Sequence, residues 1–243
     1  MKNSTFLLSL PLLLLGAGAA LAHFPILVPL TPWGMQGQAL ELVYTFGHPF
    51  EVEAAPATRP VRFAVFPPGK PAVDLLGAIG GAAGEEKDVW RATYTPADRG
   101  DHVVALTGPV LEHGGKKFQD FLKFVVHVPA IQGGWDRTLG DPLEVVPLTR
   151  PYGLAAGATF RAEVLAEGSP LAGAEVEVEY KNDVAPDPLP DEPYITGVER
   201  TDRSGAFGAT LGKAGWWIVS ARRETPQGVQ RASLWVHVGP LPR

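Results

Sequence analysis

Between Ala174 and Tyr180 the chain alternates without a break, apolar residues at the even positions and Glu175, Glu177 and Glu179 between them. A period of two is the mark of a strand that turns one face to a core and the other to water. Phe160, Ala162 and Val164 alternate with Arg161 and Glu163 in the same way. Apolar runs rich in β-branched and aromatic residues at 40–46, 61–66, 90–95, 102–107, 121–128, 216–222 and 232–238 predict further strands. Turn clusters punctuate them: Pro67-Pro68-Gly69-Lys70, Asp98-Arg99-Gly100-Asp101, Gly133-Gly134 and Asp202-Arg203-Ser204-Gly205. Helical periodicity is almost absent after the first 22 residues. The pattern predicts an all-β protein built of sandwiches. Val128 closes one strand, 129–136 is turn-like, and a new start follows at Pro142. Two tandem domains are therefore expected, one over 23–129 and one over 139–243.

The first 22 residues read differently. Lys2 is followed by an apolar run from Phe6 to Leu15 and then by small residues ending in Ala20-Leu21-Ala22. That is the layout of a signal peptide, too short to span a bilayer comfortably and closed by a cleavage pattern. Cleavage after Ala22 is expected, with export to the periplasm or beyond, and no cysteine follows to carry a lipid anchor. No later run approaches the length of a membrane-spanning helix. The chain has 28 glycines and 24 prolines in 243 residues, which suits a turn-rich β protein. It has no cysteine, so packing alone must hold an exported fold. Its net charge is −5 and no basic stripe is present, which argues against nucleic acid as a partner.

Familiar catalytic motifs are missing: there is no G-x-S-x-G elbow, H-E-x-x-H pair, phosphate loop or dinucleotide fingerprint. No enzyme activity is expected. The sharpest candidate is the residue that cleavage exposes. A terminal His23 offers one metal two nitrogens, its α-amine and its ring Nδ1, and a divalent metal can displace the amine proton near neutral pH. His48 supplies a second imidazole at a strand end, and Glu51 a carboxylate three residues on. Such ligands suit nickel, cobalt, copper and zinc rather than magnesium or calcium. His102 and His113 could close a site. His127 and His237 sit inside apolar strands, the setting of a histidine that faces solvent or satisfies a core hydrogen bond. The acidic, proline-rich stretch 183–193 lacks the ligand spacing of a calcium loop and reads as a solvated excursion. Of the six tryptophans, Trp216 and Trp217 must point to opposite faces of one strand, so at most one of them serves an exposed sugar platform.

Several segments resemble a known family. They are Gly134-Trp135-Asp136, the run Glu144-Val145-Val146-Pro147-Leu148-Thr149-Arg150-Pro151-Tyr152-Gly153-Leu154, the stretch 168–180, and Thr201-Asp202-Arg203-Ser204-Gly205 with Lys213-Ala214-Gly215-Trp216-Trp217. Together they resemble the family of domain of unknown function 4198, often named as a periplasmic component of cobalt or nickel uptake systems. The first half joins the resemblance through His23-Phe24 and through Phe46-Gly47-His48-Pro49-Phe50-Glu51. The resemblance implies a protein that handles Ni²⁺ or Co²⁺ beside a membrane transporter, with His23, His48 and Glu51 at the matching positions. Cu²⁺ and Zn²⁺ are chemically possible in the same place. The segment 170–176 with Thr201–Gly205 also looks like transthyretin-like or carboxypeptidase-regulatory modules, which implies immunoglobulin-like or transthyretin-like sandwiches and nothing about chemistry. Two other readings share these residues: a structural or carbohydrate-binding tandem sandwich without metal, and a terminal-His copper oxygenase that would place Tyr44 or Phe46 near the metal.

Overall fold

The computed structural model describes residues 23–29, 33–81 and 89–239. The signal peptide expected over 1–22 lies outside these residues, as does part of the Gly/Ala-rich stretch 76–87. In chain order the strands of the first half are β1 (Phe24–Pro29), β2 (Leu40–His48), β3 (Glu53–Ala55), β4 (Arg62–Phe66), β5 (Val73–Asp74), β6 (Gly80–Gly81), β7 (Trp90–Tyr94), β8 (Gly100–Thr107), β9 (Leu111–His113) and β10 (Lys116–Val128). The second half adds β11 (Leu143–Pro147), β12 (Ala158–Ala166), β13 (Ser169–Pro170), β14 (Glu175–Tyr180), β15 (Thr196–Arg200), β16 (Ala206–Leu211), β17 (Gly215–Thr225) and β18 (Gly228–Val238). Each of the runs predicted from alternation falls on one of these strands. Among the described residues the only helical element is a 3-10 turn at Glu192–Tyr194, and no helix is long and apolar enough to cross a membrane.

The protein is all-β and layered as sandwiches. One nine-stranded sheet runs through both halves in the order β15-β14-β17-β18-β10-β8-β4-β5, with β9 beside β10. The junction is a parallel pairing of β10 with β18, the last strand of each half, in which Asp120 stands opposite Arg231 and Phe124 opposite Trp235. A five-stranded sheet (β1-β2-β7-β6, with β3 on β2) covers one face, and a four-stranded sheet (β11-β12-β13, with β16 on β12) covers the other. Alternation divides each central strand between two cores. Leu122, Phe124 and Val126 of β10 join Ile218 and Trp235 in the first core, while Phe121 of β10 joins Val219, Leu234 and Val236 in the second. Trp216 packs against the first core and Trp217 against the second, as residues adjacent on one strand must.

The connector at 129–142 is tied down from both sides. Lys123 Nζ donates to Glu144 Oε1 at 2.6 Å, and the same carboxylate accepts the backbone N–H groups of Leu139 and Gly140. Asp101 accepts from the Tyr152 hydroxyl and from Gly133 N, each at 2.7 Å, and lies 2.7 Å from His127 Nδ1. These buried charges are paired and bonded, the condition under which burial is tolerated.

One expectation about the strands is overturned. The glutamate face of β14 is not wet along its length: Glu179 is only 1% exposed. The hairpin that follows β2 lies over it. Glu179 Oε1 accepts from Phe50 N at 3.0 Å and Oε2 from the Thr196 hydroxyl at 2.8 Å.

Candidate functional site

The site begins with the antiparallel pairing of β1 and β2, in which Phe24 stands opposite Gly47 and Leu27 opposite Tyr44. Extending that register by one residue sets His23 opposite His48. Their ring centroids are 4.2 Å apart and the planes are inclined by 45°. Phe46, two residues before His48 and on the same face of β2, stacks on the His23 ring at 5.8 Å and 9°. Two side chains proposed from sequence, 25 residues apart, are thus brought together by one hairpin-like pairing.

Local backbone explains why His48 ends the strand. Gly47 has φ 154°, and a Cβ there would sit 2.0 Å from the Glu53 carbonyl oxygen. Only glycine lets β3 fold back so closely on β2. The turn that follows passes through Val52 at φ 57°, a left-handed conformation that β-branched residues rarely adopt. A pocket of about 160 Å³ opens beside His48, lined among others by Phe46, Val52, Glu53, Lys181 and Asn182.

Residues from the second half hold both segments. Asn182 N donates to Pro49 O at 3.1 Å, and its side-chain amide donates to Phe50 O at 2.6 Å. Arg231 Nη1 donates to the His23 carbonyl at 2.5 Å while its Nε donates to Asp120 at 2.7 Å. The same guanidinium lies over the rings of Phe24 and Phe46 at 5.9 and 6.0 Å. Trp235 Nε1 donates to Pro25 O at 3.1 Å. Tyr44, in the first core, has its hydroxyl proton held tightly by burial and by the nearby Asp120 charge.

Glu51 is placed differently from the two histidines. Its Oε2 is buried without a hydrogen-bond partner, and its charge acts on Glu179. Among the described residues no group of three or more His, Asp or Glu side chains is gathered to hold a metal. Burial, opposed by its two hydrogen bonds and reinforced by the Glu51 charge, pushes the Glu179 carboxyl up to about 7. A carboxyl raised in the folded state keeps a proton that the unfolded chain has lost. Its contribution is therefore full below about pH 4.5 and declines as pH rises to about 7. Glu179→Gln is expected to be more stable than the parent at pH 8, by about 2–3 kcal/mol, and to show little gain at pH 4.5. Urea unfolding at the two pH values measures this, and an equal effect at both would count against the buried acid.

Three of the remaining histidines, His102, His127 and His237, have structural surroundings. His102 Nδ1 is 2.8 Å from the Tyr94 hydroxyl and Nε2 is 3.0 Å from Asp98 O. His127 bonds Asp101 and stacks on Tyr152 at 4.5 Å. His237 meets Trp216 edge-on at 4.9 Å, and burial lowers its basicity. His113 ends β9, away in sequence from the β1–β2 pair. Sequence reasoning passed over Arg231, Asp120 and Asn182. Charged or amide residues in a strand or strand end carry no local signal of a partner about 110 to 210 residues distant.

Solved structures give only a loose likeness. The D0-D1 domain of intimin aligns over 88% of this chain and 98% of its own at 14% identity and a TM-score of 0.27. A DUF4785 family protein from Legionella pneumophila aligns over 82% of this chain and 52% of its own, at 10% identity and a TM-score of 0.32. The Yersinia pseudotuberculosis adhesin InvE aligns over 88% and 59%, at 12% identity and 0.25. No curated protein matches by sequence. The family model for a domain of unknown function, DUF4198, matches residues 20–225, and the chain belongs to that family.

Proposed function

We propose that this is an exported protein that binds a divalent transition metal at its mature N-terminus. The donors are the His23 α-amine, the His23 ring and the His48 ring. The observation that carries the reading is the 4.2 Å approach of the two imidazoles on paired strand ends. Two imidazoles in adjacent positions on one metal, each bonded at about 2.0–2.1 Å, bring their ring centres to roughly 4–5 Å. The amine provides the third nitrogen once the peptide bond before His23 is cut, so the site matures with export. Glu51, electrostatically coupled to Glu179, adds negative charge to the neighbourhood without being one of the three.

Nickel or cobalt is the cargo of this reading, taken up or handed on beside a membrane transporter in the periplasm. Support comes from the all-nitrogen donor set and from the resemblance to components of cobalt and nickel uptake. Intrinsic affinity for such donors peaks at Cu²⁺, so the cell's choice depends on supply as well as on the site. Capture and release need no general base, and the role is binding rather than catalysis.

Calorimetry on protein beginning at His23, beside the same chain preceded by one alanine, tests the proposal. Binding of Ni²⁺ or Co²⁺ at micromolar concentration or tighter is expected for the first. The alanine-extended protein and His48→Ala should each bind at least about 100-fold more weakly, a loss of about 2.7 kcal/mol. Equal affinity in all three, or none for Ni²⁺, Co²⁺, Cu²⁺ and Zn²⁺, would remove the terminal-histidine site.

A further inference from the structure

The guanidinium that touches the first mature residue comes from the last strand of the chain. We infer that Arg231, held by Asp120, is a positioning residue for the terminal-histidine site, so that the second half of the protein is a working part of the metal centre. This rests on the reading that His23 and His48 bind metal.

The geometry assigns distinct restraints to distinct parts of His23. Arg231 Nη1 bonds its carbonyl at 2.5 Å, which fixes the orientation of the residue's main chain at the point where β1 begins. Phe46 stacks on its ring at 5.8 Å and 9°, which restrains the side-chain torsions. With carbonyl and ring both held, the direction of the amine follows from theirs. A chain terminus has the greatest freedom to lose on binding, so holding it beforehand raises affinity without adding any bond to the metal.

Arginine suits this task where lysine does not. One planar fork reaches Asp120 through Nε at 2.7 Å and His23 through Nη1 at the same time. The parallel β10–β18 pairing places Asp120 opposite Arg231, so the clamp is set by the strand junction that joins the two halves. Phe24 and Phe46 pack beneath the guanidinium and keep it in plane with its partners. A lysine ammonium at this position would satisfy Asp120 or the carbonyl and leave the other loose.

The test compares Ni²⁺ and Cu²⁺ affinity of the His23-terminated protein with that of the alanine-extended protein, each as wild type and as Arg231→Lys. Circular dichroism confirms that the variants are folded. Arg231→Lys is expected to weaken binding by the His23-terminated protein about 10-fold and leave the weak binding of the extended protein unchanged. A purely structural arginine would weaken both forms alike, and that result, or no change in either, would overturn the inference. Should Arg231→Lys fail to fold, Asp120→Asn, which frees the guanidinium from its anchor, is judged by the same ratio. If wild-type protein with a free His23 binds neither metal, the metal reading itself fails and this inference with it. If it binds and the ratio is insensitive to both variants, only the positioning role is lost.

Discussion

Replacing Lys123 by methionine should cost the protein about 3–5 kcal/mol, because it strands the Glu144 carboxylate in the interior. Both side chains are almost inaccessible, at 6% and 4% exposure, and their 2.6 Å contact is the only pairing of opposite charges that offsets their desolvation. Burial holds the Lys123 ammonium below its ordinary basicity even with Glu144 beside it. Glu144 also accepts the N–H groups of Leu139 and Gly140, so its charge organises the connector between the halves. The companion variant separates these effects. Lys123→Met with Glu144→Gln removes both charges and keeps a carbonyl oxygen to accept from the connector. It should recover a substantial part of the loss, since an unpaired buried charge is costlier than a neutral amide. Guanidinium unfolding of the single and double variants measures the difference. A single variant within 1 kcal/mol of the parent would show that water reaches Glu144 and that the pair is not truly buried.

The strands that alternate were legible, and the site was legible only in part. β2, β12 and β14 announce themselves by period two, and His48 could be placed at a strand end from sequence. β1 could not. Pro25 and Pro29 bracket a run of only three apolar residues just behind the leader, with none of the alternation that marks the other strands. Without β1 there is no register, and without register the meeting of His23 with His48 is only a chemical expectation. Spacing alone places Glu51 three residues after His48. The turn it sits in, just before Val52, is what gives it a buried Oε2 and an influence on Glu179. Alternation along β14 predicts a water-facing Glu179. What buries it is the hairpin around Phe50, 129 residues earlier in the chain. The same reasoning covers Arg231 and Asp120. Their pairing follows from a parallel contact between two strands distant in sequence, and parallel contacts have no hairpin turn to signal them.

Trp235→Ala is the second large effect expected, about 3–5 kcal/mol, from the loss of a fully buried indole. The residue belongs to the second half by sequence and to the first core by packing, where it joins Phe24, Leu27 and Phe124. Its Nε1–H also holds the Pro25 carbonyl, two residues after His23. Truncation therefore acts twice, opening a cavity between the nine-stranded and five-stranded sheets and releasing β1, the strand that His23 immediately precedes. Trp235→Phe separates the two. Phenylalanine fills most of the space and cannot donate to Pro25, so the cost should fall to about 1–2 kcal/mol, part lost volume and part lost hydrogen bond. Thermal unfolding with and without Ni²⁺ gives both readings in one experiment. If β1 is anchored as the structure shows, Trp235→Phe should lower the metal-induced rise in Tm as well as the Tm itself. A lower Tm with an unchanged metal-induced rise would mean that Arg231 and the β2 pairing suffice to hold His23, and that the indole serves the core alone.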